Sequence, residues 1–278
     1  MTAKIGMEEV MERIKLPEEA REIVRRNRIR SGEYEIWKTI FYDDMQGFLT
    51  QWKKKEDKYT WALEFYIKLA ADTYEEYRKE KIADIVYDQT FYDITLWCKE
   101  CFRKYRVYGL EEVGWLGLSV KRKLFRLGRL QFEPITAEER LEGQKETVQK
   151  GEEVLNVHIP AGEPLDYEKC MESFRLAEEF FGGRYQTYVC DSWVLSWHLK
   201  EVLPEESNII RFQNLFEVTK VYYAYPQAEQ RIFEDVLEDK SAYPEETTLQ
   251  RKAKEYILSG KDLGIGVGFM KMNDNHHR

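Results

Sequence analysis

Val154-Leu-Asn-Val-His-Ile-Pro160 is an apolar run of strand length that ends in a histidine and a proline. Downstream, Asp166 to Phe181 carries Cys170, Phe174, Ala177 and Phe181 at three- and four-residue spacing, the pattern of an amphipathic helix. A second apolar run, Gln186 to Cys190, then opens onto Asp191-Ser-Trp193. Strand, helix and strand at this spacing make a βαβ unit, whose crossover joins parallel strands. Ligands of such folds sit at the carboxyl ends of the strands. His158 and the Cys190-Asp-Ser192 run both fall there. On the first strand Asn156 and His158 share one face, and Leu155, Val157 and Ile159 share the other.

Working outward, Leu124-Phe-Arg-Leu-Gly-Arg-Leu-Gln-Phe-Glu133 reads as one strand that stops before Pro134. Its alternation puts Arg126 and Arg129 on opposite faces, where pairing with nearby carboxylates is the expected use. Thr136-Ala-Glu-Glu139 has the form of a capping box and opens a polar surface excursion to Glu153. Pro160-Ala-Gly162 turns the chain, and Asp166 can cap the helix. After Cys190 the pattern predicts a helix over Trp193 to Val202 and a short one from Ser207 to Phe216. Strands follow over Glu217 to Tyr225 and Gln230 to Val236, with a helix from Thr247 to Leu258. Gly264-Ile-Gly-Val-Gly-Phe269 is a last strand, whose alternating glycines let another backbone or a ligand approach closely.

Upstream, the chain to about Tyr108 reads as helical throughout. Met7 to Ile14 is a short amphipathic piece, and a second helix from Pro17 runs to about Ile29, stopped by Ser31-Gly32. Glu33 to Phe48, Tyr59 to Lys79 and Ile82 to Tyr105 follow, with Lys53 to Lys58 as a charged, solvated break. Aromatics at helical spacing, such as Trp61 and Phe65, mean core. Tyr87, Asp88, Thr90 and Asp93 are polar residues within the last helix, with a cleft as one possible destination. Leu110 to Leu118 is an apolar connector after Gly109. The chain is thus α+β: an all-helical N-terminal domain, residues 1–120, followed by a mixed α/β domain, residues 121–278.

The 278 residues carry a net charge of −8, which argues against a nucleic-acid partner. No apolar stretch approaches the ~20 residues of a membrane span. Met1 to Val10 is acidic and lacks an apolar signal region, so a cytoplasmic protein with no membrane partner is expected. Cys98 and Cys101 form a CxxC within a helical pattern, but no second pair or nearby histidine completes a metal set. Buried thiols and no metal are the expectation.

Candidate chemistry gathers at the strand ends. His158 is the leading general base, since an imidazole's ordinary pKa of about 6.5 suits proton transfer; the alternative is a histidine hydrogen-bonded within the core or at the Pro160 turn. Ser192 and Cys190 with His158 form a possible nucleophile–base pair, against which stand a helix cap and a packed thiol. No Gly-x-Ser-x-Gly elbow surrounds them. Glu133 is a second base or a carboxylate for a cationic substrate. Tyr185 and Tyr188 are possible proton donors, His198 reads as structural, and His276 and His277 carry no clear signal.

The chain contains, in order, Thr90-Phe-Tyr-Asp-Ile94, Gly109-Leu-Glu-Glu-Val-Gly-Trp-Leu116, Phe125-Arg-Leu-Gly-Arg-Leu-Gln-Phe-Glu133, Val157-His-Ile-Pro160, Cys190-Asp-Ser-Trp193, Leu203-Pro-Glu-Glu-Ser-Asn-Ile209 and Thr248-Leu-Gln-Arg251. These carry a resemblance to a bacterial two-domain acyltransferase family, a helical N-acyltransferase N-terminal domain followed by a GNAT-like C-terminal domain. It implies transfer of an acyl group from an acyl-coenzyme A co-substrate to a small-molecule amine. It also implies a pantetheine beside the Val154 strand and a pyrophosphate at the turn that follows. Ile159, Ala161 and Gly162 are then the donor-binding residues. The general pattern of that turn is Arg or Gln, two residues, Gly, any residue, Gly or Ala. Here Ala161-Gly-Glu-Pro-Leu165 has one glycine and an acidic residue where phosphate would lie. Lys261-Asp-Leu-Gly-Ile-Gly266 is nearer in spacing, but no helix-length segment follows it. The alternatives are a non-catalytic binding protein on the same fold and a hydrolase using Cys190 or Ser192.

Overall fold

The computed structural model describes residues 4–26 and 28–272. His276 and His277 lie outside them. One compact unit is built on the chain up to Leu127 together with Pro160–Gly162; the other on Gly128–Ile159 and the chain from Glu163 onward.

The first unit holds helices α1 (Met7–Arg13), α2 (Glu18–Arg25), α3 (Ser31–Asp43), α4 (Met45–Trp52), α5 (Lys58–Lys79), α6 (Asp84–Tyr105) and α7 (Val113–Val120), then a short strand, β1 (Phe125–Leu127). Aromatic rings make its core: Phe48 and Trp61 stack on Phe65 with centroids 5.4 and 4.7 Å away. Several sequence expectations change here. Ser31 begins a helix instead of ending one. Glu33 to Phe48 breaks at Asp44, whose carboxylate accepts the Gly47 N–H and starts α4. The apolar connector is α7, since Val113, Leu116 and Val120 recur at helical spacing and are buried. The charged break is not fully solvated: the Lys55 ammonium lies 5.0 and 4.6 Å from the Trp37 and Trp61 rings and pairs with Glu33. The polar residues of α6 are used inside the unit. Tyr87 donates to the Ala70 carbonyl, Asp88 pairs with Arg13, Thr90 accepts the Arg126 N–H, and Asp93 accepts from Trp115.

All four cysteines are free thiols and at most 1% exposed. Burial pushes Cys98 up to about 12 and Cys101 to about 11. The folded protein is therefore expected to leave all four unreacted toward a thiol reagent at pH 8 over minutes, with four titrating in guanidinium. A fast-reacting thiol in the native state would contradict this burial.

The second unit is a twisted sheet with one helix-covered face. Its strands are β2 (Leu130–Thr136), β5 (Glu153–His158), β6 (Thr187–Ser192), β8 (Ile265–Lys271) and β7 (Glu217–Tyr222), side by side in that order. β5 and β6 are parallel and joined through α8 (Tyr167–Phe180), and the other pairs are antiparallel. Asp166 caps α8 by accepting the Lys169 N–H. Phe174 of α8 packs on Phe132 and Tyr188, with ring centroids 5.8 and 5.2 Å away, which fills the space between helix and sheet.

The expected strand from Leu124 to Glu133 is broken by a turn at Gly128, whose φ of +72° suits glycine. Arg126 and Arg129 are consequently both buried, not on opposite faces of one strand. Thr136 ends β2 and caps no helix. The excursion after it holds a two-stranded hairpin, β3 (Leu141–Glu142) with β4 (Thr147–Val148), whose Leu141 and Val148 are buried with Val154, Val267 and Phe269. Glu217 ties the hairpin down by accepting the Gln144 N–H at 2.7 Å. Trp193 to Val202 is not one α-helix but two 3-10 turns, Trp193–Leu195 and Trp197–Glu201. The remaining helices are α9 (Asn208–Gln213), α10 (Gln227–Ile232) and α11 (Thr248–Leu258). α10 replaces the strand expected over Gln230 to Val236, because Ala228 and Ile232, four residues apart, face the same apolar cluster. Among the described residues no helix is long and apolar enough to cross a membrane.

Candidate active site

The sheet face opposite α8 carries the candidate residues Glu133 and His158. β2 and β5 pair Gln131 with His158 and Glu133 with Asn156. Paired residues point to the same side, so Glu133, Asn156 and His158 share a face. Glu133 and His158 are diagonal neighbours, and His158 Nε2 lies 3.0 Å from Glu133 Oε2. Both side chains are mostly buried, at 24% exposure for His158 and 16% for Glu133. Toward a carboxylate, which only accepts, Nε2 must donate, and the ring is then held in the tautomer whose basic nitrogen is Nδ1.

Between β5 and β6 the parallel ladder pairs Leu155 with Tyr188 and Asn156 with Val189. That ladder ends two residues before His158 on one strand and before Asp191 on the other. The same alternation puts Asp191 on the face of His158. Partial loss of water raises the Asp191 carboxyl above its ordinary value; the Tyr222 hydroxyl, Lys220 and the nearby His158 act against that rise. Tyr222 donates to both Asp191 oxygens, at 2.8 and 2.9 Å. Burial, then the Asp191 carboxylate, pushes the Tyr222 phenol upward.

The alternation separates the other candidates from His158. Cys190 and Ser192 fall on the opposite face, in register with Gly268 and Gly266 of β8. Burial pushes the Cys190 thiol far above its ordinary value, and Ser192 accepts the Val194 N–H as the cap of a 3-10 turn. Neither shares the face of His158, as the nucleophile–base pair expected from their common place at the strand ends would require. Tyr188 is pushed up to about 12 by burial against α8, so it is packing. Ile159 is half-buried just past β5, and Ala161 and Gly162 are exposed in the turn that follows. Asp191 and Tyr222 are the additions. The signal for Asp191 was available, since parity with Val189 places it on the face of His158 once Asn156 and Val189 are paired. Tyr222 required the order of β8 and β7. Among the described residues, no cluster of three or more His, Cys, Asp and Glu side chains is arranged to hold a metal ion.

A separate open cavity of about 500 Å³ is lined by His198, Glu201, Tyr223, Tyr256, Lys261 and Asp262. Lys261 at 2.8 Å, followed by His198, holds the Glu201 carboxylate down at about 2. A carboxylate depressed below its ordinary 4.5 stabilises the fold above that pH, and the contribution is lost as pH falls toward 2. Wild type should therefore melt slightly above Glu201→Gln at pH 6, the gap closing between pH 4.5 and 2. A gap that widens in acid would contradict this pairing.

The N-acyltransferase N-terminal domain model matches residues 6–121, and the GNAT-like C-terminal domain model matches residues 124–270. The chain belongs to this two-domain acyltransferase family and is an enzyme of it. Among solved structures it is similar to an acyltransferase in complex with decanoyl-CoA and teicoplanin, at 19% identity and a TM-score of 0.75, covering 96% of this chain and 87% of that one. It is likewise similar to an acyltransferase in complex with CoA and 10C-teicoplanin, at 18% identity and a TM-score of 0.76, covering 98% and 90%. No protein of curated function matches it in sequence.

Proposed function

We propose that the enzyme moves an acyl group from an acyl-coenzyme A thioester to the amine of a small molecule, with His158 as general base and Glu133 as its orienting partner. The observation that carries this reading is the 3.0 Å His158–Glu133 pair on a strand whose parallel ladder stops two residues earlier. The donor's pantetheine lies beside β5, and its pyrophosphate lies toward the turn that leads into α8. The amine nitrogen forms a bond to the thioester carbonyl carbon, His158 takes the proton that the nitrogen sheds, and the carbon–sulfur bond breaks. The leaving thiolate takes up a proton to give free coenzyme A. Glu133 stabilises the imidazolium while it exists. Asp191 and Glu133 make the surroundings of His158 acidic, which favours approach of a cationic amine. The complexes of the similar acyltransferases with CoA, decanoyl-CoA and teicoplanin support a coenzyme A donor and a small-molecule acceptor.

The test is ligand-induced stabilisation followed by product detection. An acyl-coenzyme A at about 100 times its dissociation constant should add ~2.7 kcal/mol of apparent stability. Mass spectrometry should then find the acylated amine and free coenzyme A in equal amounts. If acyl chains from acetyl to decanoyl all leave the melting temperature unmoved, the coenzyme A donor of this reading is overturned.

A further inference from the structure

The turn leading into α8 lacks the arginine or glutamine that its sequence pattern leads one to expect. A buried arginine from elsewhere in the second unit grips it instead. Arg129 is 4% exposed; its Nε donates to the Pro164 carbonyl at 2.9 Å and its Nη2 to the Glu163 carbonyl at 2.7 Å. In a trans peptide the C=O and N–H point opposite ways. Turning the Pro164 carbonyl onto Arg129 therefore aims the Leu165 N–H away from it. The arginine is itself held: the Arg129 and Leu130 N–H groups both donate to Ser173 Oγ of α8, at 2.8 and 3.3 Å, and Ser173 donates to the Lys169 carbonyl at 2.8 Å. Gly128 allows this approach, because a Cβ there would sit 2.9 Å from Ser173 Oγ. Burial pushes the Cys170 thiol in the first turn of α8 up to about 12, and the nearby guanidinium acts against that rise. The local charge is otherwise adverse to phosphate, with Asp166 occupying the Lys169 N–H.

We propose that Arg129, locked by Ser173, is the positioning residue of the donor turn: from the turn just before β2 it sets the donor turn's peptide planes and supplies the buried positive charge that the donor turn's own sequence lacks. This rests on the reading that the donor's pyrophosphate lies at that turn. A preorganised turn avoids an ordering cost each time the donor binds.

The experiment is titration calorimetry of the full chain with coenzyme A and, separately, with an acyl-pantetheine that has no pyrophosphate. For Arg129→Ala the coenzyme A dissociation constant should rise about tenfold or more, and for Ser173→Ala about threefold, while acyl-pantetheine affinity stays within about twofold. In turnover the loss should appear in KM for acyl-coenzyme A more than in kcat. Arg129→Lys, which keeps the charge but has no fork to span two carbonyls, should fall between wild type and alanine. Should Arg129→Ala not fold, Arg129→Lys and Ser173→Ala carry the test. Folded variants that bind coenzyme A as wild type does, or that lose both ligands equally, overturn the assignment of Arg129 and leave the pyrophosphate reading standing. A wild type that binds coenzyme A no more tightly than acyl-pantetheine overturns both.

Discussion

Replacing His158 by alanine should lower kcat roughly 10²–10⁴-fold, the usual contribution of a general base. The fold should survive, because His158 is the last residue of β5 and keeps 24% of its side chain exposed. Removing one side of a partly buried hydrogen bond costs about 1–3 kcal/mol at most. Glu133→Gln should lose less, about tenfold, since an amide still holds the ring but no longer stabilises the imidazolium. The deciding comparison is rate against thermal midpoint for the same protein. A large rate loss with a nearly unchanged midpoint supports the base. An unchanged rate with a lowered midpoint makes His158 structural and moves the proton transfer to Glu133 or Asp191.

The second large effect is on stability. Gly266 of β8 lies beneath the 3-10 turn Trp193–Leu195, and a Cβ there would sit 2.2 Å from the Leu195 carbonyl oxygen and 2.7 Å from the Ser196 nitrogen. The obstruction is backbone, so no side-chain rotation relieves it. Gly266→Val should destabilise by about 3 kcal/mol, the upper end of ordinary overpacking, and lower the urea midpoint accordingly. Gly182→Ala makes a useful contrast, because a Cβ there meets nothing within 4 Å and only its φ of +62° opposes the change. A Gly266→Val protein as stable as wild type would show that the turn does not press on β8.

The alternating glycines of the last strand announced this close approach. They could not say which backbone would come near, and it is the turn after β6, with Glu217 and Val218 of β7 close to Gly268. The βαβ unit was equally plain, because its signals are local: a short apolar run, a helical stripe ending in Cys170, Phe174 and Ala177, and a second run. Asp166, Ser207 and Thr247 were readable as caps for the same reason, since each bonds an N–H three residues on. The errors lie where local preference was outweighed. Leu110 to Leu118 has glycines at Gly114 and Gly117 that weaken a helix, yet burial of Val113, Leu116 and Val120 carries α7. Thr136 has a suitable carboxylate at Glu139, but the sheet ladder claims its backbone, and Glu139 pairs with Lys220.

For the site, sequence alone reveals that His158 ends a strand and that Asp191 lies between Cys190 and Ser192; it also stops the preceding strand at Glu133, whereas β2 runs on through Pro134 to Thr136 because residues 134–136 pair with β5. The tertiary structure alone decided which of them meet. Strand register sets that choice, and a one-residue shift would exchange the faces of every side chain. The observed register brings Glu133 to His158, sends Cys190 and Ser192 to the other side, and leaves Asp191 on the face of His158. The grip of Arg129 on Glu163 and Pro164 spans more than thirty residues of chain. No periodicity reports such a contact, because it depends on a turn at Gly128 and a serine on α8 arriving at the same place.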